Sequence, residues 1–316
     1  MEMENYHRAM AIRNVSIIGL GAEGSVAYYA LRESLPKEQV RVIAEGERAE
    51  RLRKEGRVIN GRAYELSVRA PGEESPAPDL LVFAVKSYQL EAAMEEAERE
   101  AGPGTVLMSL INGLQSEETL AERFGRERVV WSMSKINSKK SGCSVDFKPV
   151  GKIAVGERDG RMTERVKDIA ALFGRAVPAE ASPDIWLEIW RKYMLNAACN
   201  TVEAIFRGTH KWFQRIPEAC DAMECVMEEI VALAQAMGVG LSEKDIRDLD
   251  GFFLEYAPDG MCSMVQDVLK GQQTEIDMFM GEALALGRQY GVRLPVCRFV
   301  YDLLKSVDKV NAGILG

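Results

Sequence analysis

Histidine is almost missing from this chain: its 316 residues hold two, His7 and His210. An acid–base centre built on histidine therefore has little to work with, and no metal-ligand set is expected. The six cysteines, at 143, 199, 220, 225, 262 and 297, form no CxxC pair. A chain of this size needs no disulfide staples, so reduced thiols in a cytoplasmic protein are expected. No apolar run approaches the roughly 18 residues of a membrane span, and the N-terminal MEMENYHRAMAIRN, read as a short leader, lacks the apolar core of a signal peptide. Long runs of Lys and Arg are missing too, and the net charge is -8, so neither nucleic acid nor a membrane is an expected partner.

What the chain does have is apolar residues, 47% of it, in a length about twice that of a typical domain, which favours two cores. Short β-rich runs, Val15 to Leu20, Val40 to Ala44, Leu80 to Val85, Val106 to Ile111 and Val129 to Met133, alternate with helix-like stretches such as Ser25 to Glu33, Gln89 to Arg99 and Glu117 to Phe124. Continuous apolar strands between helices predict a parallel sheet covered on both faces. Asn60-Gly61 lies between Arg57-Val58-Ile59 and Ala63 to Val68. Both residues tolerate positive φ, so a small antiparallel hairpin is predicted after the second strand.

A last strand is expected at Ile153 to Val155 and a helix near Met162 to Phe173. The pattern changes at Ala179-Glu-Ala-Ser-Pro-Asp, where Ser182 can cap a helix and Pro183 fits its first turn. Beyond it Pro183 to Phe206, Glu218 to Met237, Met261 to Lys270 and Thr274 to Tyr290, closed by Gly291, all read as helix. The domain boundary is placed near residue 180, giving an α/β domain 1–180 and an all-helical domain 181–316.

The loop Gly19-Leu20-Gly21-Ala22-Glu23-Gly24 matches the GxGxxG dinucleotide fingerprint and sits between a predicted strand and a predicted helix. The first domain therefore reads as a Rossmann-type dinucleotide-binding fold. Glu45, at the end of the second strand, falls roughly 20 residues on, where an acidic side chain accepts hydrogen bonds from the adenosine ribose. This favours NAD(H). Arg48 and Arg51 are close enough in sequence to take a 2′-phosphate instead, and Glu45 could also simply end a strand at the surface.

Adding hydride to a ketone needs a proton donor, and an acid substrate needs donors for its carboxylate. The strongest candidates lie on the helix IWLEIWRKYMLNAACNTVEAIF, where Lys192, Asn196 and Asn200 recur every four residues and share one face of a largely apolar helix. Such a stripe either borders a cleft or is solvated, with Glu188 pairing to Lys192. Lys86 and Asn112-Gly113 follow predicted strands, where open α/β sheets bind ligands. Ser263 and Glu275 flank a break at Gly271; Glu275 follows Thr274, a predicted N-cap, and can simply complement the helix dipole. Tyr301 and Lys305 have the spacing of another dehydrogenase class but read as an ordinary face of the last helix.

Together these segments resemble the ketopantoate reductase family from Val15 to about Pro295: the GLGAEG loop, AVKSYQ after a strand, SLINGL, WRKYMLNAACN and CSMVQDVLKGQQTEID, in that order. The resemblance implies a Rossmann domain joined to a helical domain similar to that of 6-phosphogluconate dehydrogenase, with the family's site in the cleft between them. It implies that Lys192 is the general acid and Glu275 the carboxylate holding the substrate hydroxyl. It further implies that Asn112, Asn196, Asn200 and Ser263 contact substrate or cofactor and that Lys86 lies near the cofactor. The implied reaction is reduction of 2-dehydropantoate, a small 2-oxo acid, in pantothenate and coenzyme A synthesis, with a homodimer as a further expectation. Where family members commonly carry an arginine suited to NADP(H), this chain has Glu45; Thr201 follows Asn200 instead of the frequent proline, and Cys262 replaces a common serine. The alternatives are a reductase of another small 2-oxo acid and a dinucleotide-sensing protein without turnover.

Overall fold

The structure, a computed structural model, describes residues 12–250 and 258–313; the leader with His7 lies outside them. The chain divides into two units, Met1–Ile185 and Trp186–Gly316.

In the first unit, β1 (Val15–Ile18), β2 (Val40–Ile43), β5 (Ser67–Arg69), β6 (Leu80–Phe83), β7 (Val106–Ser109), β8 (Val129–Ser134), β11 (Ile153–Gly156) and β12 (Ala179–Ala181) form one sheet. Its order is β12-β11-β8-β7-β6-β1-β2-β5. From β8 to β5 neighbouring strands are parallel, as expected from their apolar runs. Every residue of β1, β2 and β6 is buried, which needs cover on both faces. That cover comes from α1 (Ala22–Arg32), α2 (Gly46–Glu55), α3 (Leu90–Glu100), α4 (Ser116–Phe124) and α5 (Glu164–Phe173). Two polar side chains caught inside find partners: Ser16 Oγ donates to Glu100 Oε1 at 2.7 Å, and Arg41 Nη1 donates to the Pro76 carbonyl at 2.7 Å, although Arg41 Nε is buried without a hydrogen bond.

Three expectations need correction. The sheet is not wholly parallel, because β11 runs antiparallel to β8. The segment at Ala179 is an edge strand paired with β11, too short and polar to announce itself. The stretch Ala63 to Val68 is two strands: β4 (Arg62–Tyr64) pairs with β3 (Arg57–Ile59), whereas β5 leaves to pair with β2. Between them the Glu65 carbonyl accepts a hydrogen bond from Tyr28 Oη at 3.2 Å, which holds the chain where it changes sheet.

The Asn60-Gly61 hairpin forms with φ of 48° and 77°. It belongs to a second, four-stranded sheet completed by the unanticipated hairpin β9 (Ser138–Ser141) and β10 (Ser144–Phe147), in the order β4-β3-β10-β9. Tyr28 and Tyr29 of α1 pack edge-on against Tyr64 and Phe147 of this sheet, with centroids 6.0 and 5.3 Å apart for the Tyr28–Tyr64 and Tyr29–Phe147 pairs. The small sheet thereby clamps the helix that follows the glycine loop.

The second unit is helical: α6 (Ile185–Phe206), α7 (Lys211–Arg215), α8 (Pro217–Ala236), α9 (Glu243–Asp250), α10 (Ser263–Leu269), α11 (Glu282–Tyr290) and α12 (Pro295–Asn311). Trp190 and Tyr193 of α6 are fully buried and meet edge-on at 5.8 Å, and the Tyr193 hydroxyl donates to the Phe279 carbonyl. Glu229 of α8 accepts the Val296 and Cys297 amides at 2.8 and 2.9 Å and so caps α12, which begins at Pro295. Among the described residues no helix is long and apolar enough to cross a membrane.

Candidate active site

The three fingerprint glycines have distinct environments. Gly19 turns the chain at φ +97°, and a Cβ there would lie 2.5 Å from the Ala84 carbonyl oxygen. A Cβ on Gly24 would lie 2.1 Å from the Gly19 carbonyl oxygen, so α1 can seat on the loop only if that residue is glycine. Gly21, the N-cap of α1, has nothing within 4 Å of such an atom. The open direction at Gly21, at the positive dipole end of α1, fits the pyrophosphate of a dinucleotide. Leu20 is buried, while Ala22 and Glu23 open the helix.

Sequence reasoning missed a brace behind this loop. Arg57 of β3 is buried and donates from Nη2 to the Leu20 carbonyl at 2.9 Å and from Nη1 to the Gly142 carbonyl at 3.4 Å. Burial pulls its pKa below the usual arginine value. No local signal could have exposed the contact, because Arg57 and Leu20 lie 37 residues apart in sequence.

Glu45 stands at the N-cap of α2, directly after β2, and is exposed. Arg99 of α3 meets it with two prongs, Nη1 to Oε2 at 3.3 Å and Nη2 to Oε1 at 3.2 Å. Those hydrogen bonds hold Glu45 below the usual carboxylate range. Arg48 donates to the Ile43 carbonyl at 3.2 Å and lies 3.6 Å from Glu96, whose pKa burial pushes up. The cation against Glu45 is thus Arg99, 54 residues away in sequence, rather than the neighbouring arginines.

Lys86, half-buried, follows β6 and starts a short 3-10 turn; its amide donates to Gln89 Oε1 at 3.2 Å. Asn112, also half-buried, follows β7 beside Gly113 at φ +103°. Because β7, β6, β1 and β2 are adjacent and parallel, Asn112, Lys86, the glycine loop and Glu45 follow the carboxyl ends of neighbouring strands. The chain leaves β1 for β2 on one side and reaches β6 on the other, the switch point where open α/β sheets bind ligands.

In the second unit, Lys192 and Asn196 of α6 are half-buried and Asn200 is buried, so the stripe is not a fully solvated face. Glu188 lies 3.7 Å from Arg191 Nη1. Ser263 opens α10 and is exposed, and the thiol of the preceding Cys262 lies 3.6 Å from the Asn200 carbonyl, linking the two segments. Glu275 is buried in a bend rather than in the first helical turn. Thr274 donates through its amide and hydroxyl to Asp308 at 3.1 and 3.0 Å, which delays the helix until a π-helical turn, Asp277–Gly281, that runs into α11. Wide turns of this kind often accompany functional residues. Tyr301 and Lys305 both donate to Asp277, at 2.9 and 2.5 Å, as expected of a structural helix face.

Residues 15–160 match the family model described as "Ketopantoate reductase PanE/ApbA", and residues 184–308 match "Ketopantoate reductase PanE/ApbA C terminal". The chain is 30% identical to a 2-dehydropantoate 2-reductase of Archaeoglobus fulgidus over 95% of its own length and 99% of that protein's. It is 28% identical to one of Aquifex aeolicus, over 93% and 97% of the two chains. Among solved structures, the ternary structure of D-mandelate dehydrogenase with NADH and anilino(oxo)acetate superposes with a TM-score of 0.86 at 21% identity, covering 95% of this chain and 99% of that one. That likeness shows a shared fold.

Proposed function

The chain belongs to the ketopantoate reductase family, and on that premise we propose that it reduces 2-dehydropantoate to pantoate with a nicotinamide dinucleotide. The observation that carries the reading is the glycine loop, whose open side at Gly21 suits a pyrophosphate in a chain akin to such reductases along nearly its whole length. When bound, the dihydronicotinamide supplies a hydride to C2 of the 2-oxo acid.

The chain's own residues do the rest. The Lys192 ammonium donates a proton to the ketone oxygen as negative charge gathers on it, leaving a neutral amine that takes a proton back from solvent. Glu275 accepts a hydrogen bond from the hydroxyl that forms. Asn196, Asn200 and Ser263 donate to the substrate carboxylate, and Asn112 and Lys86 position the cofactor end. Glu45 favours NAD(H), because its carboxylate accepts from ribose hydroxyls where a 2′-phosphate would meet like charge. Arg99 and Arg48 are the groups that would hold that phosphate in NADP(H).

The test is loss of dihydronicotinamide absorbance with 2-dehydropantoate, run with NADH and NADPH, on the native chain and on Lys192→Ala. The expected result is turnover by the native chain and a fall of about 10²–10⁴ in kcat for the variant. A native chain that binds dinucleotide yet reduces neither 2-dehydropantoate nor other aliphatic or aryl 2-oxo acids would leave a dinucleotide sensor as the reading.

A further inference from the structure

The second unit holds a buried group of side chains that the proposed reaction does not use. Cys199 and Glu203 sit one turn apart on α6, and His210 follows in the loop before α7. All three are buried, and their sulfur, carboxylate and imidazole donor atoms all lie within 4.8 Å of one another. Glu203 Oε1 is 2.8 Å from His210 Nδ1, and Glu203 Oε2 accepts the Cys262 amide at 2.9 Å. The Cys262 thiol also lies in hydrogen-bonding range of Glu203 and 3.6 Å from the Asn200 carbonyl. Backbone hydrogen bonds knit the two loops together, His210 donating to Gly260 and Lys211 to Pro258, each at 2.9 Å.

We propose that Cys199, Glu203, His210 and Cys262 form a binding site for one thiophilic divalent cation, zinc in the first place, that pins the end of α6 to the loop before α10. The donor set decides the class of ion: two sulfurs and an imidazole select zinc over magnesium or calcium, which take oxygen ligands. A tetrahedral zinc with bonds of about 2.0–2.3 Å draws its ligand atoms to somewhat over 3 Å apart, and the Cys199, Glu203 and His210 donor atoms, within 4.8 Å of one another, stand near that spacing. Two ligands at i and i+4 on a helix, completed by ligands from loops, is a spacing that other zinc sites use. Burial and the charge of Glu203, with Cys199 adding to it at Cys262, push both thiols well above the usual cysteine range, a cost that metal binding must offset. A dication reverses that: each thiol loses its proton to solvent as sulfur binds, and a carboxylate and two thiolates offset the 2+ charge.

The test uses the full chain, reduced and treated with chelator, titrated anaerobically with Co(II) and then Zn(II). Expected are one equivalent of cobalt bound, a near-ultraviolet sulfur-to-cobalt band with the strong visible bands of tetrahedral coordination, and bleaching as zinc displaces it. Cys199→Ser, Cys262→Ser and His210→Ala are each expected to weaken cobalt binding by about 100-fold or more, while Cys225→Ser, an exposed cysteine outside the group, leaves it unchanged. Circular dichroism identifies any variant that does not fold, and the native titration stands independently of the variants. A native chain without the sulfur-to-cobalt band, or one whose band survives all three substitutions, overturns the proposal and leaves a hydrogen-bonded Glu203–His210 pair. The readout is spectroscopic, so its outcome does not depend on which 2-oxo acid is reduced.

Discussion

Gly24 and Gly19 touch where no other residue fits: a Cβ on Gly24 would sit 2.1 Å from the Gly19 carbonyl oxygen. The obstacle is backbone, which cannot swing aside like a side chain. Gly24→Ala is therefore expected to lower stability by about 2 kcal/mol or more, the usual range for forcing atoms into a packed site. Gly21→Ala, with open space around the new methyl, is expected to keep the stability and lose dinucleotide affinity by about tenfold or more, roughly 1.4 kcal/mol. Denaturant unfolding and dinucleotide titration, run on both variants, separate the two roles. Equal behaviour in the two assays would mean that the glycines are not specialised.

Arg57 predicts a loss of cofactor binding through the glycine loop that it braces. Its guanidinium holds the Leu20 carbonyl from behind, so Arg57→Met keeps the bulk but frees the loop. The expected outcome is a raised dinucleotide Kd with little change in kcat at saturation, measured by titration and steady-state kinetics.

If the proposed cofactor site holds, Glu45 and Arg99 are expected to set cofactor choice as a pair. Glu45→Ala removes the ribose acceptor and releases Arg99 toward a 2′-phosphate, so the NADPH-to-NADH ratio of kcat/KM is expected to rise about tenfold or more. Arg99→Ala keeps the acid and is expected to move the ratio the other way. Parallel kinetics with both cofactors measure it.

Glu157 gives a pH signature to stability. Burial alone would raise its pKa, but hydrogen bonds from Arg165 Nε and Nη2, at 2.7 and 2.6 Å, and from Thr163 offset this and hold it below the usual range. A carboxylate with a depressed folded-state pKa contributes stability above its unfolded value and loses it as pH falls through the folded one. Arg165→Ala is expected to cost about 2 kcal/mol near neutrality, with the gap to the native chain closing as pH drops below about 4. Unfolding curves at neutral and acid pH check the sign; a gap that widens in acid would contradict it.

Legibility followed the range of the interaction. The glycine fingerprint, the buried strand runs and the Asn60-Gly61 turn are local patterns, and the strands and turn they announced are present. The strand β12 and the hairpin β9–β10 were not legible, because short polar strands become strands only when a neighbour offers its edge. The helix stripe Lys192, Asn196, Asn200 was visible as a period of four. Its burial was not, since that depends on what packs over α6.

By itself, then, the sequence determined the main apolar strands of the sheet, the glycine loop and the family, because these depend on backbone freedom at glycine, side-chain periodicity and ordered motifs along one chain. Only the tertiary structure decided which distant groups meet: Arg99 with Glu45, Arg57 with Leu20, and Cys262 and His210 with Glu203. Such pairs are fixed by how helices and sheets pack, and a side chain carries no mark in sequence of the partner that packing will bring to it.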